Sequence, residues 1–169
     1  MTLSWMLKIV SNFWPMFLRG AGTTLLIAII GTLIGSLIGL MVGVIKTMPM
    51  PERGFTRFLQ KFINGLLTVY IEVFRGTPMM VQAMVIFYGA ALALGMDMNK
   101  MFAAFLIVSI NTGAYMSEIV RGGIISIDKG QFEAAHAIGL NHMQTMMNVV
   151  LPQVIRNILP ATGNEFVIN

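Results

Sequence analysis

The stretch that decides the fold is TTLLIAIIGTLIGSLIGLMVGVI, residues 23–45, which contains no ionisable side chain. A helix rises about 1.5 Å per residue and needs about 20 mainly apolar residues to cross a hydrocarbon core of roughly 30 Å, so this stretch can span a membrane. Its glycines recur at every fourth position and share one side of the helix, where a neighbouring backbone can approach closely. The sequence predicts a spanning helix that packs on another helix through Gly31, Gly35, Gly39 and Gly43.

The composition of the whole chain is that of a membrane protein. Of its 169 residues, 56% are hydrophobic and 11% are charged, and the mean hydropathy is +0.79. These values exclude an ordinary soluble domain. The net charge of +4 does not indicate nucleic-acid binding, because the basic residues are scattered singly between apolar blocks. The chain has no cysteine, which excludes disulfides and thiolate sites. We expect a single integral membrane domain over residues 1–169.

Three further crossings are predicted, at residues 77–94, 101–120 and 146–168. Residues 55–74 are interrupted by charged and amide side chains and predict an amphipathic helix at the cytoplasmic interface. The basic connection 46–53 is assigned to the cytoplasm by the positive-inside rule, which places the N-terminus outside. Trp14, Pro15 and Arg19 interrupt the N-terminal apolar stretch, and we interpret that stretch as a retained surface segment.

The polar segment 128–144 is too hydrophilic to cross a membrane. Asp128 followed three residues later by Gln131 predicts a capping box at the start of a short helix. That helix is expected to stop at Gly139, and a second short helix can begin at Asn141. Such a pair of helices could be a docking element on the cytoplasmic face or an ordinary intracellular loop.

Several motifs resemble those of ABC importer permeases. Glu133-Ala134-Ala135, Gly139, Val149 and Leu151-Pro152 match the spacing of the E-A-A, G, I-x-L-P signature of that family, with valine in place of isoleucine. Three linked blocks are similar to the polar amino acid branch, the histidine, glutamine and arginine type. These blocks are EVFRGTP at 72–78, AYMSEIVRGG at 114–123 and GQFEAA at 130–135.

The resemblance implies an all-α integral membrane protein with the type I importer transmembrane-domain fold, in the cytoplasmic membrane of a prokaryote. Segment 128–144 would be the coupling helix region, seated in a cleft of a separate ATPase subunit that binds ATP and Mg²⁺. The other implied partners are a solute-binding protein and a second permease copy, identical or paralogous. The family pattern also implies a fifth crossing after Asn169. The residues expected to transmit the ATP-driven motion are Glu133, Ala134, Ala135 and Gly139.

This chain is not expected to be an enzyme or to bind a metal or cofactor itself. Its sequence has no phosphate-binding G-x-x-x-x-G-K-[ST] loop, no H-E-x-x-H and no G-x-S-x-G. A secondary transporter or another multi-span membrane protein is the alternative to an importer permease. A secondary transporter should show repeated halves with matching broken helices, and the sequence has no such internal repeat.

Asn111, Tyr115 and Glu118 follow one another at spacings of four and three in the predicted crossing 101–120. They therefore share one face of that helix. Polar groups at membrane depth usually face the bundle interior or a wet cavity. Two interpretations remain open. The face could line the substrate path, or Asn111 and Tyr115 could bond neighbouring helices while Glu118 pairs with Arg121.

Overall fold

The computed structural model describes residues 3–52, 54–95 and 97–169. Arg53 and Met96, which belong to two predicted connections, lie outside the described residues. Within the described part of the chain every regular element is helical, which confirms the predicted fold class. The elements are α1 (Leu3–Thr47), α2 (Phe55–Gly76), α3 (Met79–Leu94), α4 (Lys100–Ile125), α5 (Lys129–Ala137), α6 (His142–Thr145), a π-helical turn (Met146–Val150) and α7 (Leu151–Ile168).

The glycine stripe of α1 packs against α4, as predicted. A Cβ atom placed on Gly35 would lie 2.6 Å from the Thr112 Cβ and 3.0 Å from the carbonyl oxygen of Ser109. Carbon atoms do not approach this closely, so the two backbones are nearer than any side chain on the stripe would allow. The partner residues on α4 also recur every fourth position. From the outer glycine inward they are Val108, Thr112, Met116 and Val120.

Helix α1 is much longer than predicted, because it begins at Leu3 and includes the segment that we assigned to the surface. Pro15, which interrupts the apolar stretch of the sequence, lies inside the helix. A proline in a helix interior removes one hydrogen bond and crowds the carbonyl four positions earlier, at a cost of about 3 kcal/mol, yet α1 continues through it. The side chains from Leu7 to Leu26 are exposed, so this half of α1 extends away from the bundle.

The chain breaks between α2 and α3, and the two helix axes differ in direction by 112°. Thr77 is extended, with φ −122° and ψ 145°, and Pro78 precedes the first residue of α3. A proline disfavours helical angles in the residue before it, which explains why α2 ends here. In the described residues α1 and α4 are each long and apolar enough to cross a membrane, whereas α2 and α3 meet that condition only as a bent pair. The predicted count of four crossings stays a prediction.

Helix α7 follows the π-helical turn directly and carries prolines at positions 152 and 160, as the sequence indicated. A π-helical turn beside a proline relieves the crowding between the proline ring and the preceding turn. The 18 residues of α7 include Arg156 and Glu165, and α7 is not among the helices apolar enough to cross alone. Helix α7 packs on α4. Their common core contains Met116, Val120, Ile124, Ile127, Met146, Val150, Val154 and Ile158.

Gly39→Ala should destabilise the fold by about 1 to 3 kcal/mol, because the added methyl group would overlap the backbone of Met116. The matched control is Gly89→Ala on α3, where the new Cβ would meet nothing within 4 Å. That control should be neutral or slightly stabilising, since alanine favours a helix more than glycine does. Thermal unfolding of the purified variants in one detergent compares the two. Equal melting temperatures would show that the α1–α4 contact is not tight.

Candidate functional site

A hydrogen-bond network closes the break between α2 and α3. Pro78 has no N–H, so it leaves the carbonyl of Phe74 without its usual helical donor. The Gln82 side chain supplies one, with Nε2 2.9 Å from the Phe74 oxygen and 2.9 Å from both the carbonyl and the hydroxyl oxygen of Thr77. The Asn111 amide donates to the same Phe74 oxygen at 3.1 Å and to Gln82 Oε1 at 2.9 Å. Helices α2, α3 and α4 are therefore joined at the Phe74 carbonyl.

Tyr70 makes a second link between α2 and α4 close to this network. Its hydroxyl group donates to the carbonyl of Ile110 at 2.6 Å. Gly113 leaves the space for this contact, because a Cβ at that position would lie 2.8 Å from the Tyr70 oxygen. These contacts hold the break between α2 and α3 against the middle of α4.

The structure separates the three residues of the predicted polar face. Asn111 is buried and bonds the neighbouring helices, which is one of the two interpretations left open for it. Tyr115 is half-buried beneath the Arg75 guanidinium, whose central carbon lies 5.4 Å from the ring centroid, a cation–π distance. Glu118 pairs with Arg121, with Oε2 2.7 Å from Nη2 and 3.0 Å from Nε. The pairing of Glu118 with Arg121 is confirmed.

Three further polar residues belong to this region and were missed at the sequence level: Gln82, Arg75 and Glu165. Glu165 on α7 is 9% exposed and makes no ion pair within 4 Å among the described residues. Arg75 on α2 lies over the Tyr115 ring, and Glu118 lies one turn further along α4. Gln82 interrupts an otherwise apolar predicted crossing, which is the same signal that singled out Asn111, whereas Glu165 lies in a predicted crossing that contains several other polar residues. The region around Asn111, Tyr115 and Glu118 therefore contains both basic and acidic side chains.

The segment from Asp128 to Thr145 forms an elbow of two short helices, α5 and α6. Asp128 caps α5 by accepting a bond from the Gly130 N–H at 2.6 Å, as predicted. The predicted capping box at Asp128 and Gln131 is wrong, because Asp128 does not accept from the Gln131 N–H. The complete capping box lies at α6, where Asn141 and Gln144 exchange bonds of 2.9 Å in both directions.

Gly139 forms the turn of the elbow, as predicted. Its φ of +85° lies in the left-handed region, which disfavours every residue with a Cβ. The Leu140 N–H donates to the Ala135 carbonyl at 3.0 Å, and the Gly139 N–H donates to the His136 carbonyl at 2.9 Å. These two bonds form a Schellman motif that ends α5.

The candidate coupling residues do not all face the same way. Glu133 and Ala134 are exposed, whereas Ala135 is 3% exposed. Of the two alanines expected to transmit the motion, Ala134 is therefore open to a partner, whereas Ala135 packs inside the chain. Ile138, beside the Gly139 turn, is 78% exposed and presents a large apolar side chain that sequence reasoning did not single out. The open surface of the elbow contains Ala134 and Ile138.

The elbow is attached to the bundle by both polar and apolar contacts. Gln153 on α7 donates to the Gln131 side chain at 3.4 Å and to the Val149 carbonyl at 2.8 Å. Phe132 of α5 packs against the buried core shared by α4 and α7. A displacement of the elbow would therefore be transmitted to these two helices.

Residues 54–169 match the family model described as binding-protein-dependent transport system inner membrane component. Over 164 residues the chain is 37% identical to the glutamine transport system permease protein of Escherichia coli (strain K12), covering 94% of this chain and 70% of that protein. It is 45% identical over 98 residues to the arginine transport system permease protein of Bacillus subtilis (strain 168), covering 58% of this chain and 45% of the relative.

Solved structures share the architecture. The crystal structure of an amino acid ABC transporter with histidines superposes with a TM-score of 0.78 at 35% identity, over 99% of this chain and 72% of that chain. The inward-facing MetNI methionine ABC transporter gives a TM-score of 0.69 at 20% identity, also over 99% of this chain and 72% of that chain, which shows the fold alone. The chain spans about half the length of the curated relatives from Bacillus subtilis and Rickettsia prowazekii, 45% and 49% respectively.

Asn111→Leu should lower stability by about 1 to 3 kcal/mol, because it removes both hydrogen bonds of the Asn111 amide and leaves the buried Gln82 Oε1 without that donor. Gln82→Leu should cost a similar amount. Because the two side chains bond each other and also share the Phe74 carbonyl, the loss of the double variant should differ clearly from the sum of the two single losses. Unfolding midpoints of all four proteins test this. Strictly additive losses would contradict a shared network.

Proposed function

Because the chain belongs to the family of binding-protein-dependent transport system inner membrane components, we propose that it is the permease subunit of an ATP-driven importer for a polar amino acid. The observation that carries the proposal is the elbow, which presents an open surface on one side and is joined to two membrane helices on the other. The similarity to named glutamine and arginine permeases supports an amino acid as the substrate. This subunit performs no chemistry itself.

The elbow is the proposed seat of a separate ATPase subunit, which binds ATP and Mg²⁺. Ala134 leaves a shallow surface and Ile138 supplies an exposed apolar anchor beside the Gly139 turn. Desolvated apolar anchors of this kind contribute most of the binding energy in protein interfaces. Glu133 lies next to them and is exposed, where it can meet a basic group of the partner.

Motion of the ATPase would reach the membrane through the buried contacts behind the elbow. Phe132 packs on the core formed by α4 and α7, and Met146 and Val150 of the π-helical turn are buried in the same core. Closely packed side chains transmit displacement because they cannot be compressed. The elbow, the cytoplasmic end of α4 and the start of α7 are therefore proposed to move together.

The polar face of α4 is the proposed substrate path. Arg75, which lies over the Tyr115 ring, can attract the carboxylate of a zwitterionic amino acid, while Glu118 on the same face can attract its ammonium group. Asn111 acts by holding the α2–α3 break in place, so that Arg75 lies over the ring of Tyr115. A second permease copy, identical or paralogous, would close the path. An external solute-binding protein would deliver the substrate at the cytoplasmic membrane of a prokaryote.

Ala134→Trp should prevent the ATPase from copurifying, because the indole ring would fill the surface on which the partner sits. Its melting temperature should stay near that of the wild type, since position 134 is exposed. Ala135→Trp provides the contrast: that side chain is buried, and overpacking should destabilise the subunit itself by about 1 to 3 kcal/mol.

Lys61→Trp is the control for adding an exposed indole elsewhere, on α2. It should leave ATPase copurification and stability unchanged. Normal copurification of the ATPase with the Ala134→Trp variant would show that the elbow surface is not the docking site.

A further inference from the structure

The N-terminal part of α1, residues 3–22, shows no packing partner in the part of the chain that the structure describes. From Leu7 to Leu26 the side chains are exposed, and the first buried side chain after them is that of Ala28. The glycine contact with α4 begins only at Gly31. The position of residues 3–22 is therefore not determined by the bundle, and their surroundings must be deduced from their own chemistry.

This segment is amphipathic along its length. With successive side chains rotated by about 100°, the apolar ones cover roughly two-thirds of the circumference and the polar ones fill the remainder. Pro15 lies among the polar side chains. It leaves the Ser11 carbonyl without a helical donor, and that carbonyl faces the polar side. The apolar side contains Trp5, Ile9, Phe13, Trp14 and Phe17, and the polar side contains Lys8, Ser11, Asn12 and Arg19.

The length of α1 determines where this segment can lie. The 45 residues of α1 extend for about 67 Å, more than twice the roughly 30 Å of a hydrocarbon core, and residues 23–47 already span that core. A straight helix would carry Trp5, Phe13 and Trp14 into water, where large aromatic side chains are unfavourable. The apolar side of the segment can instead enter the acyl chains if the segment lies in the plane of the interface.

The charge of the segment indicates which surface it meets. The first 51 residues contain no aspartate or glutamate, while Lys8 and Arg19 both lie on the polar side. Anionic phospholipid headgroups attract such basic groups next to a membrane. Tryptophan itself favours the headgroup level, because its ring is apolar and its N–H is polar.

A hinge is available at the point where the segment meets the spanning part of α1. Gly20 and Gly22 have open surroundings, since a Cβ at either position would meet nothing within 4 Å. Glycine lowers the stability of a helix interior, and paired small residues are common at helix kinks. Bending at these two residues would not disturb the α1–α4 contact, which starts nine residues later at Gly31.

We propose that residues 3–22 form an amphipathic anchor that lies on the membrane surface and binds anionic phospholipid through Lys8 and Arg19, with α1 bending at Gly20 and Gly22. The proposal does not depend on the transport function. It assigns the exposed half of α1 to lipid rather than to water or to another protein.

Trp5 and Trp14 are the only tryptophans of the chain, so their fluorescence reports on this segment alone. In proteoliposomes that contain phosphatidylglycerol, lipids brominated at successive acyl positions measure the depth of Trp5 in the W14F variant and of Trp14 in the W5F variant. An in-plane segment places both rings at nearly the same interfacial depth. A straight α1 separates them by about 13.5 Å along the helix axis, with Trp5 outermost.

Equal interfacial depths and efficient bromolipid quenching would support the anchor. An unquenched, red-shifted Trp5 would overturn it, because the segment would then project into water. Blue-shifted tryptophans that bromolipids fail to quench would also overturn it, since a protein partner would then cover the apolar side.

The K8Q/R19Q double variant tests the lipid charge. In anionic proteoliposomes the quenching of Trp5 fluorescence by brominated lipid should fall roughly twofold or more in this variant. The reason is that surface binding of amphipathic helices combines apolar burial with electrostatic attraction. Lys100→Gln removes a basic residue outside the segment and should leave the quenching unchanged. Equal quenching of the double variant and the wild type, or equal quenching in phosphatidylcholine and in anionic vesicles, would refute binding to anionic lipid.

Discussion

The close approach of the α1 and α4 backbones is the contact on which the rest of the structure depends. Along Gly31 to Gly43 the facing residues of α4 occupy the space that side chains of α1 would otherwise fill. In a membrane the hydrophobic effect does not drive helices together, so van der Waals contact along such a stripe provides much of the association. Helix α4 is thereby fixed, and α2, α3 and α7 all pack on it.

A second constraint follows from a single missing hydrogen bond. Pro78 follows the end of α2 and leaves the Phe74 carbonyl without a helical donor. Gln82 and Asn111 replace the donor, and this replacement ties the break to α4. As a result Arg75, the residue after Phe74, lies over the Tyr115 ring of α4 and brings a positive charge to the polar face. The requirement to satisfy the Phe74 carbonyl thus fixes the position of Arg75.

Several features of the fold could be predicted from the sequence, because in each of them one residue type has one structural meaning. The glycine period predicted the stripe, and Gly139 predicted a turn that its positive φ confirms. Features set by tertiary context could not be predicted. The burial of Ala135 but not Ala134 depends on the direction in which α5 packs, and the role of Gln82 depends on a carbonyl eight residues earlier. The start of α1 was missed because a proline usually kinks or ends a helix, whereas α1 continues through Pro15.

We propose that this chain belongs to an importer driven by ATP rather than by an ion gradient. A decisive test is uptake of radiolabelled glutamine, arginine and histidine into proteoliposomes that contain the permease, its copurifying ATPase and the solute-binding protein. We expect uptake of at least one of these amino acids only when ATP and Mg²⁺ are present on the side of the ATPase, with hydrolysis stimulated by the loaded binding protein. Uptake by the permease alone, driven by a sodium or proton gradient without ATP, would contradict it.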